Sequence, residues 1–458
     1  MFIKYFESIS KRTFIIVISF FCLSFNISAQ KNNTPDSVQY LSLDQCIVYA
    51  LQNQPAIIQT SIDISIAQKT NAINLSAWLP QVNVNGNLMH YNQLPTAFSV
   101  NSANPNGPLL QGHTGMINTF LPQLSATQTI FSPDVLNAAK SAHLYVQQAK
   151  QSNDSTKITL IANVSKGFYN LLLTLEQMNV LKEDTARLAK NLRDTYHQYI
   201  GGTADKTDYK EAAISLNNSK AQLKQVNESI RPQYATLKQF MGFPPEKDFS
   251  VSFDTLQMIK EIAFDTTQQL QYEKRIEFQQ LETTKSLQLQ ALSYYRSQSL
   301  PTLSAFYNYV YEYESNTTQN FFNQAYPYSY VGASISIPLF TGLRQRESIQ
   351  RAKLQGEKIA WAEIGLKSNI YSEYTTALAN YKSNLYSLGL MRENVAMAKD
   401  VYSVVSLQYN QGVIAYLNVI TAESNLISSE ISYLNALFQV LLSKVDLEKA
   451  MGNTLSKY

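Results

Sequence analysis

The sequence predicts a mainly α protein of long antiparallel helical hairpins, joined to a few membrane-type β-strands that can close a barrel only by oligomerising. Three observations carry this: the placement of proline, an internal duplication, and stretches of alternating polarity. The 458 residues include 15 Gly and 14 Pro, below the usual ~7% and ~5%. No proline lies between Pro133 and Pro232, and none follows Pro338. Proline removes a helix donor and clashes with the preceding turn, so these two spans predict unusually long helices. The composition excludes collagen-like, disulfide-scaffold and largely disordered chains. A net charge of +3 gives no basic stripe of the kind a nucleic-acid binder shows.

Residues 1–29 read as a secretory signal peptide. Lys4, Lys11 and Arg12 precede an apolar run from Phe14 to Phe25, and small Ser28 and Ala29 follow, with cleavage placed after Ala29. The run is shorter than the ~20 residues a spanning helix needs. Bulky Phe21 precedes Cys22 where a lipoprotein anchor would carry a small residue. Cys46 is then the only remaining thiol, expected as a small core residue. No later stretch reads as a spanning helix, so the mature chain is either soluble or crosses a membrane as β-strands.

The mature chain is duplicated. Tyr199-Ile-Gly-Gly202 returns as Tyr409-Asn-Gln-Gly412, and Met241-Gly242 as Met451-Gly452, both at an offset of 210. Ile130-Phe131 returns as Leu339-Phe340, and Leu79-Pro80 as Leu300-Pro301. A repeat this long is a duplicated half-domain rather than a solenoid unit. The first copy occupies residues 30–245 and the second 246–458. Each holds a helix (Leu41 to Ala77; about Thr266 to Ser299), two strands after Leu-Pro, and a helical hairpin.

The strands are read from period-two alternation. Val82 to Leu88 places Asn at every other position, and Leu303 to Glu314 sets an apolar, aromatic face against Ser, Asn and Glu. Val331 to Ile337 alternates cleanly and Gln123 to Ile130 more weakly. Such segments suit transmembrane barrel strands and equally a half-buried soluble sheet. Tyr307, Tyr309, Tyr311, Tyr313, Tyr326, Tyr328 and Tyr330 favour the membrane, because tyrosine collects at lipid–water interfaces. Asn92–Asn118 and Ser315–Pro327 read as loops.

The helices carry coiled-coil spacing. Leu417, Ile420, Ser424, Ile427, Ile431, Leu434, Phe438, Leu441 and Val445 follow one another at steps of three and four, as an a/d seam requires. Leu388 to Tyr409 keeps the same rhythm, and Leu181 to Tyr199 with Tyr209 to Ile230 keeps it less strictly. Glycine at 202 and 412 marks each bend. Four strands cannot close a transmembrane barrel, which has at least ~8, and open sheet edges in lipid are costly. Two copies would supply eight strands and three would supply twelve.

The chain resembles the TolC-like outer-membrane efflux family. The likeness rests on Leu41-Ser-Leu-Asp-Gln-Cys-Ile-Val-Tyr-Ala-Leu-Gln-Asn-Gln-Pro55, on Leu-Pro before the strands, on Ile337-Pro-Leu-Phe-Thr-Gly342, and on Tyr409-Asn-Gln-Gly-Val-Ile-Ala-Tyr-Leu-Asn-Val-Ile-Thr-Ala-Glu423. It implies a homotrimer with a twelve-stranded barrel in outer-membrane lipid and an α-barrel reaching into the periplasm. A periplasmic adaptor (membrane-fusion) protein and, through it, an inner-membrane pump would complete a passive export path. The hairpin tips would meet the adaptor and close the tube, which makes Tyr199, Gly202, Asp208, Tyr409, Gly412, Val413, Ile414, Tyr416 and Asn418 the candidate tip and gate residues. Asn418, at the place equivalent to Asp208 of the first tip, stands where the family often has Asp, and Ile414 and Thr421 stand where some members carry charge. Closure is therefore expected to rest on packing of Val413, Ile414 and Tyr416 and on hydrogen bonding by Tyr409, rather than on ion pairs at the second tip. Turn chemistry and coiled-coil packing account for the same residues without a gate.

No catalytic, cofactor or metal site is expected: His90, His113, His143 and His197 lack metal-ligand spacing, and no phosphate-loop or nucleophile-elbow motif occurs. The alternatives are a secreted coiled-coil structural or adhesin protein and a stand-alone outer-membrane porin.

Overall fold

The computed structural model describes residues 39–100, 102, 106–252 and 262–457; the expected signal peptide lies outside them. Its elements are β1 (Gln39–Leu41), α1 (Leu43–Asn53), α2 (Pro55–Leu75), β2 (Gln81–His90), β3 (Thr96–Ser99), β4 (Leu110–His113), β5 (Asn118–Phe131), α3 (Pro133–Ile200) and α4 (Lys206–Met241). The second half holds β6 (Phe249–Val251), α5 (Ile276–Ser297), β7 (Thr302–Ser315), β8 (Ala325–Ser336), α6 (Arg344–Asn410) and α7 (Tyr416–Met451). The ladder of β1 with β6 belongs mostly to a small unit of its own. The long helices and the four long strands all belong to the other unit, Leu41–Lys247 with Val251–Tyr458.

Local chemistry sets the boundaries. Ser42 and Gln45 form a reciprocal capping box that starts α1: Gln45 N donates to Ser42 Oγ (3.4 Å) and Ser42 N to Gln45 Oε1 (2.9 Å). The expected single helix from Leu41 to Ala77 is instead two, because Pro55 holds Gln54 in an extended conformation (ψ 122°) and then opens α2 at its first position. The second copy's helix starts at Ile276, ten residues later than about Thr266. Ser132 caps α3 by accepting from Asp134 N (3.2 Å), with Pro133 at the first helical position. α3 and α6 are 68 and 67 residues long, about 100 Å at 1.5 Å per residue. α4 runs through Pro232 to Met241.

Both tips close with the same hydrogen bonds. At the first, Gly202 N donates to Tyr199 O (3.1 Å) and Thr203 N to Gln198 O (2.9 Å). At the second, Gly412 N donates to Tyr409 O (2.8 Å) and Val413 N to Gln408 O (2.9 Å). Each is a Schellman motif with glycine in the left-handed region, φ 76° and 73°. The motif recurs where the returning helices end, at Gly242 and Gly452. There the glycine also answers a close approach: a Cβ on Gly452 would stand 2.7 Å from Lys274 O, whereas one on Gly412 meets nothing within 4 Å. Gly412→Ala should therefore cost only the left-handed backbone penalty of about 1–2 kcal/mol, and Gly452→Ala considerably more. Thermal melting of the helical circular-dichroism signal in detergent checks this; equal shifts would contradict it.

The four long strands form one antiparallel sheet in the order β2-β5-β7-β8. β8 begins at Ala325 rather than Val331, and Asn92–Asn118 holds a β3–β4 hairpin that its Asn, Pro and Gly content concealed. Pro327 lies near the start of β8, opposite Tyr311, where a missing backbone donor disturbs the ladder least. Residues opposite one another share a face, and the register divides the tyrosines. Tyr307, Tyr309, Tyr311 and Tyr313 share a face with Val82, Val84, Leu88 and Val331, while Tyr326, Tyr328 and Tyr330 share the other with Asn83, Asn85 and Asn308. Only the first four can belong to an interfacial girdle. Tyr313 packs with Phe120 and Phe322, rings 5.4–6.3 Å apart.

Helix pairing follows the duplication: α3 packs on α4 and α6 on α7, and the copies meet through α3 against α5 and α7. α3 and α7 each contain a stretch apolar enough to cross a membrane by length and composition; that of α3 is mostly buried here and that of α7 about one-third buried. The seam differs from the expected one near the second tip. Tyr416, Val419, Glu423 and Leu426 are buried, one position before the expected Leu417, Ile420, Ser424 and Ile427, and Leu417 is 60% exposed. α7 faces α3 as well as α6, which turns its buried stripe toward the first hairpin.

Candidate functional site

The tip region is built from the ends of α3 and α6 and the starts of α4 and α7. Tyr199 packs on Tyr209 (ring centroids 5.0 Å) and Tyr196 meets Tyr209 edge-on (5.7 Å), which steadies the first turn. At the second turn Tyr409 lies 5.2 Å from Tyr416. Tyr416 is fully buried with Ala212 of α4 and Val419, bounded by Leu192, Tyr402, Val405, Tyr409 and Ile420. One aromatic side chain thus joins both hairpins. Burial pushes its phenol well above the usual range, and among the described residues its hydroxyl has no hydrogen-bond partner. The Tyr409 hydroxyl donates to Gln198 Oε1 of the other hairpin (2.6 Å). Burial raises its pKa too, and nearby Asp208 adds to the rise.

The remaining candidates lie at the solvent side of the tips. Asp208 and Asn418 occupy equivalent positions, three residues past Asp205 and Ala415, whose carbonyls accept from their backbone N–H groups (both 3.1 Å). Asp208 is half-buried and complements the start of α4 electrostatically; Asn418 is exposed. Ile414 is half-buried, and Val413 is 70% exposed at the apex. Within one chain Val413 contributes nothing to the packing around Tyr416.

Two turns behind Tyr416 lies a charged network that heptad spacing does not reveal. Arg187 of α3 donates from Nε to Glu423 Oε1 of α7 (2.7 Å) and from Nη2 to Asp184 Oδ1 (3.0 Å). Asn191 Nδ2 donates to Glu423 Oε2 (3.0 Å), and Ser219 Oγ of α4 to Asp184 Oδ2 (2.7 Å). The guanidinium also lies over the Tyr402 ring of α6, 5.4 Å from its centroid. The network therefore draws on all four hairpin helices. An ion pair between hairpins does exist, set back from the tip. It borders an open groove of about 500 Å³ between α4 and α7, lined by Ser215, Ser219, Ile420, Ser424, Ile427 and Ile431.

One arginine faces two carboxylates whose side chains are 1% and 2% exposed. Burial raises both acids above their ordinary values, outweighing the hydrogen bonds of Ser219 to Asp184 and of Arg187 and Asn191 to Glu423. An acid with a raised folded-state pKa binds protons in the native state that the unfolded state has already released, so its contribution to stability falls as pH rises through the folded value. The helical hairpins should accordingly lose stability as pH rises above the ordinary carboxylate range, and Asp184→Asn should flatten that slope. A wild-type midpoint independent of pH would refute the assignment.

A sequence profile described as outer membrane efflux protein matches residues 46–243 and 273–453. Outer membrane protein TolC of Vibrio cholerae is 21% identical over 443 residues, 94% of this chain and 95% of that protein. The solvent efflux pump outer membrane protein SrpC of Pseudomonas putida is 31% identical over 119 residues, 26% of this chain and 25% of that one. Among solved structures, CusC superposes with a TM-score of 0.72 at 14% identity, covering 92% of this chain and 95% of its own. The Campylobacter jejuni CmeC outer membrane channel gives 0.70 at 16%, covering 90% and 86%. The open state of the Neisseria gonorrhoeae MtrE channel gives 0.70 at 17%, covering 90% and 89%.

Proposed function

We propose that this chain, which belongs to the outer membrane efflux protein family, acts as a homotrimer in which three four-stranded sheets close a twelve-stranded barrel in outer-membrane lipid. The carrying observation is that a sheet with two open edges, β2 and β8, continues directly into two hairpins of about 100 Å. Four strands leave edges that lipid cannot satisfy, so the duct needs further copies. The hairpins form its periplasmic extension. A periplasmic adaptor docks at the tips and along the groove between α4 and α7, and connects the duct to an inner-membrane pump that supplies the energy. The duct itself is a passive conduit.

A photo-crosslinkable residue at exposed position 413 should capture the adaptor in intact cells, and chemical cross-linking of the purified protein should stop at three subunits. A dimeric mass would overturn the trimer. No adaptor captured, with export unaffected by deletion, would favour a stand-alone porin. The gating role of the second tip is tested separately: Ile414→Ser should raise single-channel conductance in planar bilayers, and unchanged closed-state conductance rejects it.

A further inference from the structure

The polar face of the sheet also carries a continuous aromatic strip. Reading rungs across β7 and β8, Phe306 opposes Gly332, Asn308 opposes Tyr330, Val310 opposes Tyr328 and Glu312 opposes Tyr326, while Glu314 opposes Thr119 of β5. Asn83 and Asn85 continue the same face through Ser125 and Gln123. The opposite face holds Val82, Val84, Leu124, Tyr309, Val331 and Ile335. Lipid accepts the second set and not the first, so in the closed barrel the strip lines the water-filled interior.

Its geometry is that of a ladder. The Phe306 ring lies across Gly332, where a Cβ would come within 2.6 Å of Phe306 Cζ. Phe306 meets Tyr330 edge-on at 6.1 Å, and Tyr330 stacks with Tyr328 at 6.4 Å and 15°. Tyr326, Tyr328 and Tyr330 are each about half exposed. Glu312 and Glu314 stand at the end remote from the helices. The electrostatics are one-sided: between Lys69 and Lys140, and between Arg296 and Arg344, the sequence has no lysine or arginine. Within the four strands these two glutamates are the only formally charged residues.

We infer that Phe306, Tyr330, Tyr328 and Tyr326, with Glu312 and Glu314 at the outer end, form a binding path for organic cations that carry an aromatic or alkyl body. Ring faces attract a cation through the quadrupole, and the unopposed carboxylates select the sign. The assignment rests on the outer-membrane duct reading, and the test separates the two. Purified oligomer in planar bilayers would be exposed from the strand-loop side to benzyltrimethylammonium, with benzenesulfonate as the anion of similar size. The ammonium should depress inorganic-ion current at concentrations roughly tenfold below the sulfonate. Glu312→Gln with Glu314→Gln should remove that preference. Tyr328→Ser should weaken the block about threefold or more, in the range of a single cation–π contact, while Tyr328→Phe keeps it. Equal action of the two ions, or no difference between Tyr328→Ser and wild type, would overturn the inference. Tyr328→Cys should react with a membrane-impermeant thiol reagent and Tyr309→Cys should not; the reverse would overturn the face assignment. An oligomer that forms no ion-conducting pore at all would instead defeat the duct reading.

Discussion

Arg187→Ala is expected to raise the conductance of the reconstituted channel several-fold while leaving the barrel and its oligomer intact. The substitution removes the only cation that, among the described residues, is joined to Asp184 and Glu423, whose side chains are 1% and 2% exposed. Removing one partner of a buried pair costs about 3–5 kcal/mol, because the stranded charge dominates. With Arg187 itself 27% exposed, the lower end applies. The strain falls at one place: Asp184 is on α3 and Glu423 on α7, so their repulsion pushes the hairpins apart behind Tyr416 and weakens the Tyr409–Gln198 bond ahead of it. Nothing in this network reaches the strands, so heat-modifiable migration of the barrel should be unchanged. The discriminating variant is Arg187→Met with Asp184→Asn and Glu423→Gln. It removes the charges together, and a neutral set of similar volume is tolerated where a half-removed pair is not. It should return conductance toward wild type. If the triple variant conducts like Arg187→Ala, the effect lies in lost packing on Tyr402 rather than in stranded charge.

Features written in backbone chemistry are legible in the sequence. Glycine at 202 and 412 marks both tips because a Schellman turn needs a left-handed residue, and the offset of 210 carries that requirement from one copy to the other. The strands are legible from their period, but their faces are not. Tyr326, Tyr328 and Tyr330 belong to a strand whose start at Ala325 lies within an apparent loop, and only cross-strand register shows that they oppose Glu312, Val310 and Asn308. The charged network escapes the sequence for a related reason. Asp184, Arg187 and Glu423 read as solvated helix positions until α7 is laid across α3. A signal exists: Tyr416, Val419, Glu423 and Leu426 step by three, four and three, as do Leu181, Asp184 and Leu188 by three and four. A carboxylate within an apolar stripe asks for a partner. The alternative stripe through Leu417 and Ile420 has the same spacing, and spacing alone does not choose between them.

Arg275→Ala should cost more stability than any other single change at the midpoint of the helical bundle. Gln54 and Arg275 are equivalent residues of the two copies, each the last extended residue before α2 or α5. Each reaches the end of the returning helix: Gln54 Nε2 donates to Gln239 O and Phe240 O (3.1 and 3.2 Å), and Arg275 Nη1 to Ala450 O (2.9 Å). α4 thus abuts α2 and α7 abuts α5, and one side chain at each junction satisfies carbonyls that a helix end leaves open. Arg275 does more than Gln54, holding Glu373 of α6 (2.8 Å) and Glu277 (2.9 Å) while its side chain is only 4% exposed. Its loss leaves the Ala450 carbonyl without this donor and opens a cavity, which together put the cost at about 3 kcal/mol or more. Gln54→Ala gives up only neutral hydrogen bonds, about 1 kcal/mol. Glu373→Ala, whose carboxylate is 61% exposed, should cost less than about 1 kcal/mol. Arg275→Lys keeps the charge but cannot present three donors in a planar fork, and should fall between Arg275→Ala and wild type. Urea unfolding of the helical signal in detergent gives the order directly. If Glu373→Ala proves as damaging as Arg275→Ala, the junction is held by the salt bridge to α6 and not by the capped end of α7.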